Sequence, residues 1–249
     1  MAAEKLQKKF AMAEYKFQIL CTKLLDETTI HKAADQSINI DIISFIEIEN
    51  INSQELIQQI QSLQSKKITA VFTSVNSVES VAKHLTVKPD WKIFSIGGAT
   101  KEMVLKFFEE KSILATAKNA TALCEKIIAN KSIKELTFFC GDQRLNELPE
   151  TLFTHGINVE ELVVYKNILR PTTIEKNYDA VVFFSPSAVN SFFTLNTLPI
   201  NTVIFSIGKT TTATIQSYCS NMIITSEWPG KEQMIERVIG YFNPNKISA

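Results

Sequence analysis

Four short stretches of this 249-residue chain combine residue types that can hold an anion without a basic side chain. Thr73-Ser74-Val75-Asn76 and Ser185-Pro186-Ser187 each place a hydroxyl where an apolar run gives way to an amphipathic one. Ser is a good helix N-cap, and Pro suits the first helical position because its missing N–H would have no partner there. The N–H groups of such a first turn, with the helix dipole behind them, attract negative charge. Gly97-Gly98-Ala99-Thr100 and Gly208-Lys209-Thr210-Thr211 follow two further apolar runs. Gly lets the backbone approach a ligand closely, and Thr100 and Thr211 are expected to cap the helices that follow. Any one of these stretches is also an ordinary strand-to-helix turn. Together they nominate Thr73, Ser74, Asn76, Gly97, Thr100, Ser185, Ser187, Gly208 and Thr211 as ligand contacts.

Their spacing raises the stakes. Val71–Val78 aligns with Val182–Val189 at an offset of 111 positions, and Ile93–Thr100 aligns with Ile204–Thr211 at the same offset. Caps alone do not hold two matches in one register. One unit, strand–Ser–helix–strand–Gly-x-x-Thr–helix, therefore occurs twice. Around it, strand-sized apolar runs are predicted at 17–22, 40–48, 68–73, 92–96, 112–116, 136–140, 158–165, 179–184, 202–206 and 221–225. Helices are predicted at 53–65, 75–85, 100–110, 121–130, 187–195, 210–218 and 230–241. This alternation predicts an α/β fold with two similar lobes, each a parallel sheet with flanking helices, flavodoxin-like and joined by two chain crossings. The C-terminal half is short of strands, so 17–22 is expected to complete its sheet. That makes one lobe discontinuous, 1–38 with 167–249, and the other an insertion, 45–160. The crossings fall at 39–44 and 161–166, and the gap between lobes is the expected ligand site.

Composition narrows the partner. Lys plus Arg and Asp plus Glu both total 26, which gives no sign of a duplex-binding surface. No apolar run approaches the roughly 18 residues of a membrane helix. Met1–Tyr15 is too charged for a signal peptide and is expected to form a short surface helix or frayed end, so the chain is expected to stay in the cytoplasm; its unremarkable surface composition makes a monomer the default expectation. Cys21, Cys124, Cys140 and Cys219 have no C-x-x-C spacing and are expected to be buried free thiols. His31, His84 and His155 are scattered, so no metal site is expected.

Val71-Phe72-Thr73-Ser74-Val75-Asn76-Ser77-Val78, Ile96–Thr100, Phe183-Phe184-Ser185-Pro186-Ser187-Ala188-Val189 and Ile207–Thr211 resemble the pattern of the uroporphyrinogen-III synthase family. Cys140-Gly141-Asp142-Gln143-Arg144, Leu148–Leu152, Gly156 and Val163-Val164-Tyr165 are similar to that family's Gly-x-x-x-Arg, Leu-x-x-x-Leu, Gly and Val-Tyr sequence. The family often has Thr-Arg after its first strand, where this chain has Thr22-Lys23, and Gly and Pro before the first crossing, which 35–47 lacks. The resemblance implies a cofactor-free enzyme that closes hydroxymethylbilane, a linear tetrapyrrole, with loss of water. The last pyrrole ring is inverted through a spiro intermediate. Catalysis would come mainly from orientation. Tyr165, placed where the second crossing leaves its strand, would donate a hydrogen bond to the departing hydroxyl as a general acid, or else pack the hinge. Asp142 and Arg144 are expected to form a local ion pair. Two other classes stay open: a non-catalytic two-lobed receptor for a small anion, and a flavodoxin-like regulatory module.

Overall fold

The computed structural model describes residues 15–226 and 230–244; the N-terminal expectation falls, but for Tyr15, outside them. In chain order the elements begin β1 (Phe17–Cys21), α1 (Glu27–Ala34), β2 (Ile38–Ile42), β3 (Ile46–Asn50), α2 (Gln54–Gln64), β4 (Thr69–Phe72) and α3 (Val75–Ala82). Next come β5 (Lys92–Ile96), α4 (Ala99–Phe107), β6 (Ile113–Ala117), α5 (Ala120–Ala129), β7 (Glu135–Gly141), α6 (Glu147–Thr154) and β8 (Asn158–Leu169). The last are β9 (Ala180–Phe183), α7 (Pro186–Leu195), β10 (Val203–Ser206), α8 (Lys209–Gln216), β11 (Ile223–Thr225) and α9 (Lys231–Phe242). They form two compact units, Met1–Glu47 with Leu169–Ala249, and Ile48–Ile168. These bounds lie a few residues beyond the segments expected as crossings, because 39–42 belong to β2 and 161–166 to the interior of β8.

In the first unit the strand order is β11-β10-β9-β1-β2, every pair parallel, so β1 completes the sheet near its centre. Buried side chains alternate between its faces. Ile19, Cys21, Val182 and Phe205 meet Ala33 of α1 and Met234, Ile235 and Val238 of α9. Leu20, Val181, Phe183 and Ile204 meet Val189 and Phe192 of α7 and Ile215 of α8.

The second unit has the order β3-β8-β7-β4-β5-β6, with parallel pairing from β8 to β6. Phe72, Ile93 and Phe139 face Ile60 of α2, Val78 and Val81 of α3 and Val104 of α4. Val71, Phe94 and Phe138 face Leu123 and Ile127 of α5 and Leu148 and Leu152 of α6. Both faces are covered, as buried parallel sheets require.

The sequence repeat survives as register. β4 and β5 pair from Thr69↔Lys92 to Phe72↔Ser95, and β9 and β10 pair from Ala180↔Val203 to Phe183↔Ser206. Every partner in the second set lies 111 positions after its counterpart in the first. The match extends to whole sheets: β8-β7-β4-β5-β6 and β2-β1-β9-β10-β11 share one plan, threaded from different starting strands. The two units are circular permutations of each other.

Two expectations need correction. The single strand predicted over 40–48 is two strands in different sheets. Phe45 between them is wholly buried against Phe192, ring centroids 5.2 Å apart, and that burial turns the chain. Helices α1 and α6 were not predicted, since α1 is threonine-rich and buries only Thr29 and Ala33, while Pro149 interrupts the pattern of α6.

Candidate functional site

Parallel sheets bind ligands at strand C-terminal ends, where successive connections leave for opposite faces. In the second unit that switch lies between β4 and β7, whose following helices α3 and α6 cover different faces. Thr73–Asn76 and Gly141–Asp142 flank it.

Tyr165 crosses this point. It sits inside β8 rather than at a strand exit, because β8 continues to Leu169. A β-bulge between Cys140 and Gly141 brings Tyr165 opposite Gly141. A Cβ on Gly141 would fall 2.5 Å from Cζ, 2.6 Å from Cε2 and 2.8 Å from Oη of the ring, so only Gly leaves room. The phenol, 8% exposed, donates to Ser74 Oγ at 3.1 Å. Ser74 Oγ also accepts from the Ser77 N–H (3.1 Å) and donates to Ser77 Oγ (3.1 Å), whose own proton goes to the Ser74 carbonyl (2.8 Å). Burial raises the Tyr165 pKa, against hydrogen bonding from Ser74 and Asn76; the negative forms of Cys140 and Asp142 push it the same way as burial. Tyr165 is thus a neutral donor over the working pH range.

Asp142 and Arg144 do not pair. Asp142 accepts from the Asn167 N–H at 2.9 Å, while Arg144 pairs with Glu161 and donates to Asn146 Oδ1 at 2.7 Å.

In the first unit the switch lies between β1 and β9. Thr22 ties them together, its N–H (3.1 Å) and hydroxyl (2.9 Å) both reaching the Val182 carbonyl. Ser185 caps α7 by accepting from the Ala188 N–H at 3.2 Å. Unlike Ser74, its hydroxyl proton has no acceptor among the described residues, so it can be offered to a ligand.

The Gly turns behave differently from the sequence expectation. Thr100 and Thr211 do not cap: they lie within the first turns of α4 and α8, 6% and 3% exposed, behind N-cap Gly98 and Gly208. Gly98 holds φ +64°, which disfavours any residue with a Cβ. Because no side chain caps these helices, the N–H groups of Ala99, Thr100 and Lys101, and of Lys209, Thr210 and Thr211, have no protein acceptor among the described residues. At α3 and α7 the same holds for Val75, Asn76 and Ser187. Thr73 directly follows β4, and Gly97 is tied by its N–H to the Ala117 carbonyl at 2.8 Å. Unpredicted support comes from Thr212, which donates to Ser206 Oγ (2.9 Å), which in turn donates to the Gly208 carbonyl (3.0 Å). Its only sequence signal is that it is the third of three consecutive threonines, Thr210 to Thr212.

A cavity of about 700 Å³ opens at the other end of the second unit's sheet, lined by Lys66, Lys92, Lys134, Asp90, Glu135 and Glu160. Strand N-terminal ends lie beside helix C-termini, whose carbonyls repel anions. Among the described residues no group of three or more His, Cys, Asp or Glu could hold a metal.

The family model described as uroporphyrinogen-III synthase HemD matches residues 27–236. The chain belongs to the uroporphyrinogen-III synthase family. It is accordingly a cyclising lyase of tetrapyrrole, and hence haem, biosynthesis. Its fold is similar to a mutant uroporphyrinogen III synthase from the extremely thermophilic bacterium Thermus thermophilus, with TM-score 0.64 and 13% identity over 92% of this chain and 100% of that one. It is also similar to uroporphyrinogen-III synthetase from Helicobacter pylori, with TM-score 0.63 and 16% identity over 90% and 99%. No curated protein sequence matches the chain. At such identities a uroporphyrinogen-III synthase keeps its fold while most side chains change. A site built from backbone N–H groups tolerates that divergence well, since every residue but proline supplies one.

Proposed function

We propose that this synthase acts on hydroxymethylbilane and that the strand-end turns of both units take its acetate and propionate groups. The observation that carries this is the set of unaccepted N–H groups at α3 and α4 of the second unit and at α7 and α8 of the first, together with the buried, neutral phenol of the second unit. Thr73, Ser74, Asn76, Gly97 and Thr100 form one group of contacts, and Ser185, Ser187, Gly208 and Thr211 the other. Ser185 contributes a hydroxyl, Ser74 holds Tyr165, Asn76, Thr100, Ser187 and Thr211 act through backbone N–H groups, and Thr73, Gly97 and Gly208 shape the turns.

Tyr165 turns its single proton from Ser74 Oγ to hydrogen-bond the departing hydroxyl, which leaves as water as the N–H of the same pyrrole gives up its proton. The electrophilic azafulvene is attacked by the last ring at its already substituted carbon. The resulting spiro intermediate fragments and recloses with that ring inverted. Unassisted closure gives isomer I, so the protein's task is to hold the chain in the conformation that leads to isomer III. No nucleophile is needed. Four free cysteines suit a reducing compartment, and the zero net charge suits a small-molecule partner over nucleic acid; we take the protein to work as a cytoplasmic monomer.

The test is chromatographic. Fresh hydroxymethylbilane is incubated with the protein, the product is oxidised, and isomers I and III are separated. Enzyme-dependent isomer III is expected; isomer I alone would refute the proposal.

A further inference from the structure

Lysine is a poor choice for the first turn of a helix, where the dipole and the unpaired N–H groups are positive. Lys231 nevertheless opens α9, behind Gly230, which makes no side-chain cap. The matching helix of the second unit, 111 positions earlier, opens in the ordinary way: Asn119 accepts from the Ala122 N–H at 2.9 Å, and Ala120 stands where Lys231 does. The fold plan therefore does not require this lysine.

Its side chain is directed. Lys231 Nζ donates to the Leu24 carbonyl at 3.2 Å, which brings the ammonium onto the loop after β1, next to Lys23. Two cations are thereby held together at the strand-end edge that also carries Ser185 and Gly208. Among the described residues no carboxylate forms an ion pair with either. Asp26 is close enough to feel Lys231, but both its oxygens accept from Thr29, at 2.8 and 2.7 Å, as the cap of α1. Although Lys23 is exposed as a whole, partial burial of its ammonium and then the charge of Lys231 push its pKa down. Leu24, between the two lysines, is 73% exposed. Two cations beside an exposed apolar side chain, neither in an ion pair among the described residues, match a guest that carries carboxylates on flat apolar rings.

We propose that Lys231, together with Lys23, binds a side-chain carboxylate of the tetrapyrrole, with Leu24 packing against the pyrrole that bears it. This rests on the synthase function proposed above. Neither lysine touches the reacting atoms, so the pair sets affinity.

Lys231→Met and Lys23→Met, singly and together, separate affinity from chemistry, with Lys32→Met on α1 as a surface control. Each site variant is expected to raise KM about fivefold and the pair about twentyfold, with kcat within about twofold. Raising salt from about 50 to 300 mM should weaken the wild type more than the double variant, since screening acts on exposed charge. Lys231→Arg should restore most of the affinity. Binding of benzene-1,2,4,5-tetracarboxylate, followed by calorimetry, should weaken about tenfold in the double variant, whether or not turnover is measured. Unchanged KM and unchanged tetracarboxylate binding in the folded double variant would overturn the proposal. Absence of isomer III from the wild type would instead overturn the function, leaving the calorimetry to judge the pair.

Discussion

Gly141→Ala is the smallest change that should move the phenol at the second unit's switch point. The added Cβ would lie 2.5 Å from Tyr165 Cζ, and carbon contacts sit near 3.5–4.0 Å, so the ring must retreat by about 1 Å. Retreat from Gly141 breaks the 3.1 Å bond to Ser74, and the surrounding core of Phe72, Phe139 and Val164 leaves little room. Overpacking typically costs about 1–3 kcal/mol and the lost hydrogen bond about 1 kcal/mol more. A loss of roughly 3 kcal/mol corresponds to a melting temperature roughly 8–15 °C lower for a unit of this size. Turnover should fall at least as far as in Tyr165→Phe, because the donor is displaced as well as uncoupled. Urea unfolding of wild type, Gly141→Ala, Tyr165→Ala and the double variant forms the decisive cycle. Once the ring is gone, Gly141→Ala should cost under about 1 kcal/mol. Equal costs in both backgrounds, or a single variant that melts like wild type, would refute the packing argument.

Three further outcomes follow from the same geometry. Tyr165→Phe should cut kcat several-fold with the fold intact by circular dichroism; unchanged kinetics would remove the phenol from the mechanism. Ser185→Ala should cost about 1 kcal/mol as a lost N-cap, whereas Ser74→Ala should cost about twice that, because it also leaves the buried phenol without an acceptor. Urea midpoints at unchanged slope give the comparison. Burial raises the thiols of Cys21, Cys124 and Cys140 to about 11. Their contribution to stability is complete below the unfolded thiol pKa of about 8.5 and is lost as pH rises through 11. Melting temperature should therefore decline between about pH 9 and 11, with a shallower decline in a variant carrying alanine at all three positions.

The α/β alternation was legible because runs such as Val181-Val182-Phe183 fill a strand buried on both faces, and because helix starts are local events. The serine caps at α3 and α7 were legible for the same reason. The break at Ile43–Phe45 was not, since Ile40, Ile42, Ile46 and Ile48 keep one alternating phase across it. Circular permutation was hidden as well: only the stretch from β4 to α5 is collinear with its counterpart, and β1 and β7 occupy opposite ends of their repeats. Tyr165, Gly141 and Ser74 meet across separations of 24 and 91 residues, which no local pattern can signal. The false caps at Thr100 and Thr211 came from reading Gly-x-x-Thr as a turn that ends at Thr, whereas Gly98 and Gly208 already begin the helices.

Amide resonances report most directly on where the guest's carboxylates lie. In a ¹⁵N-labelled sample titrated with uroporphyrinogen III under anaerobic conditions, the largest shifts should fall on Asn76, Thr100, Ser187 and the amides from Lys209 to Thr211. Shifts confined instead to Lys66, Lys92 and Lys134 at the opposite strand ends would contradict an anion site made of helix starts.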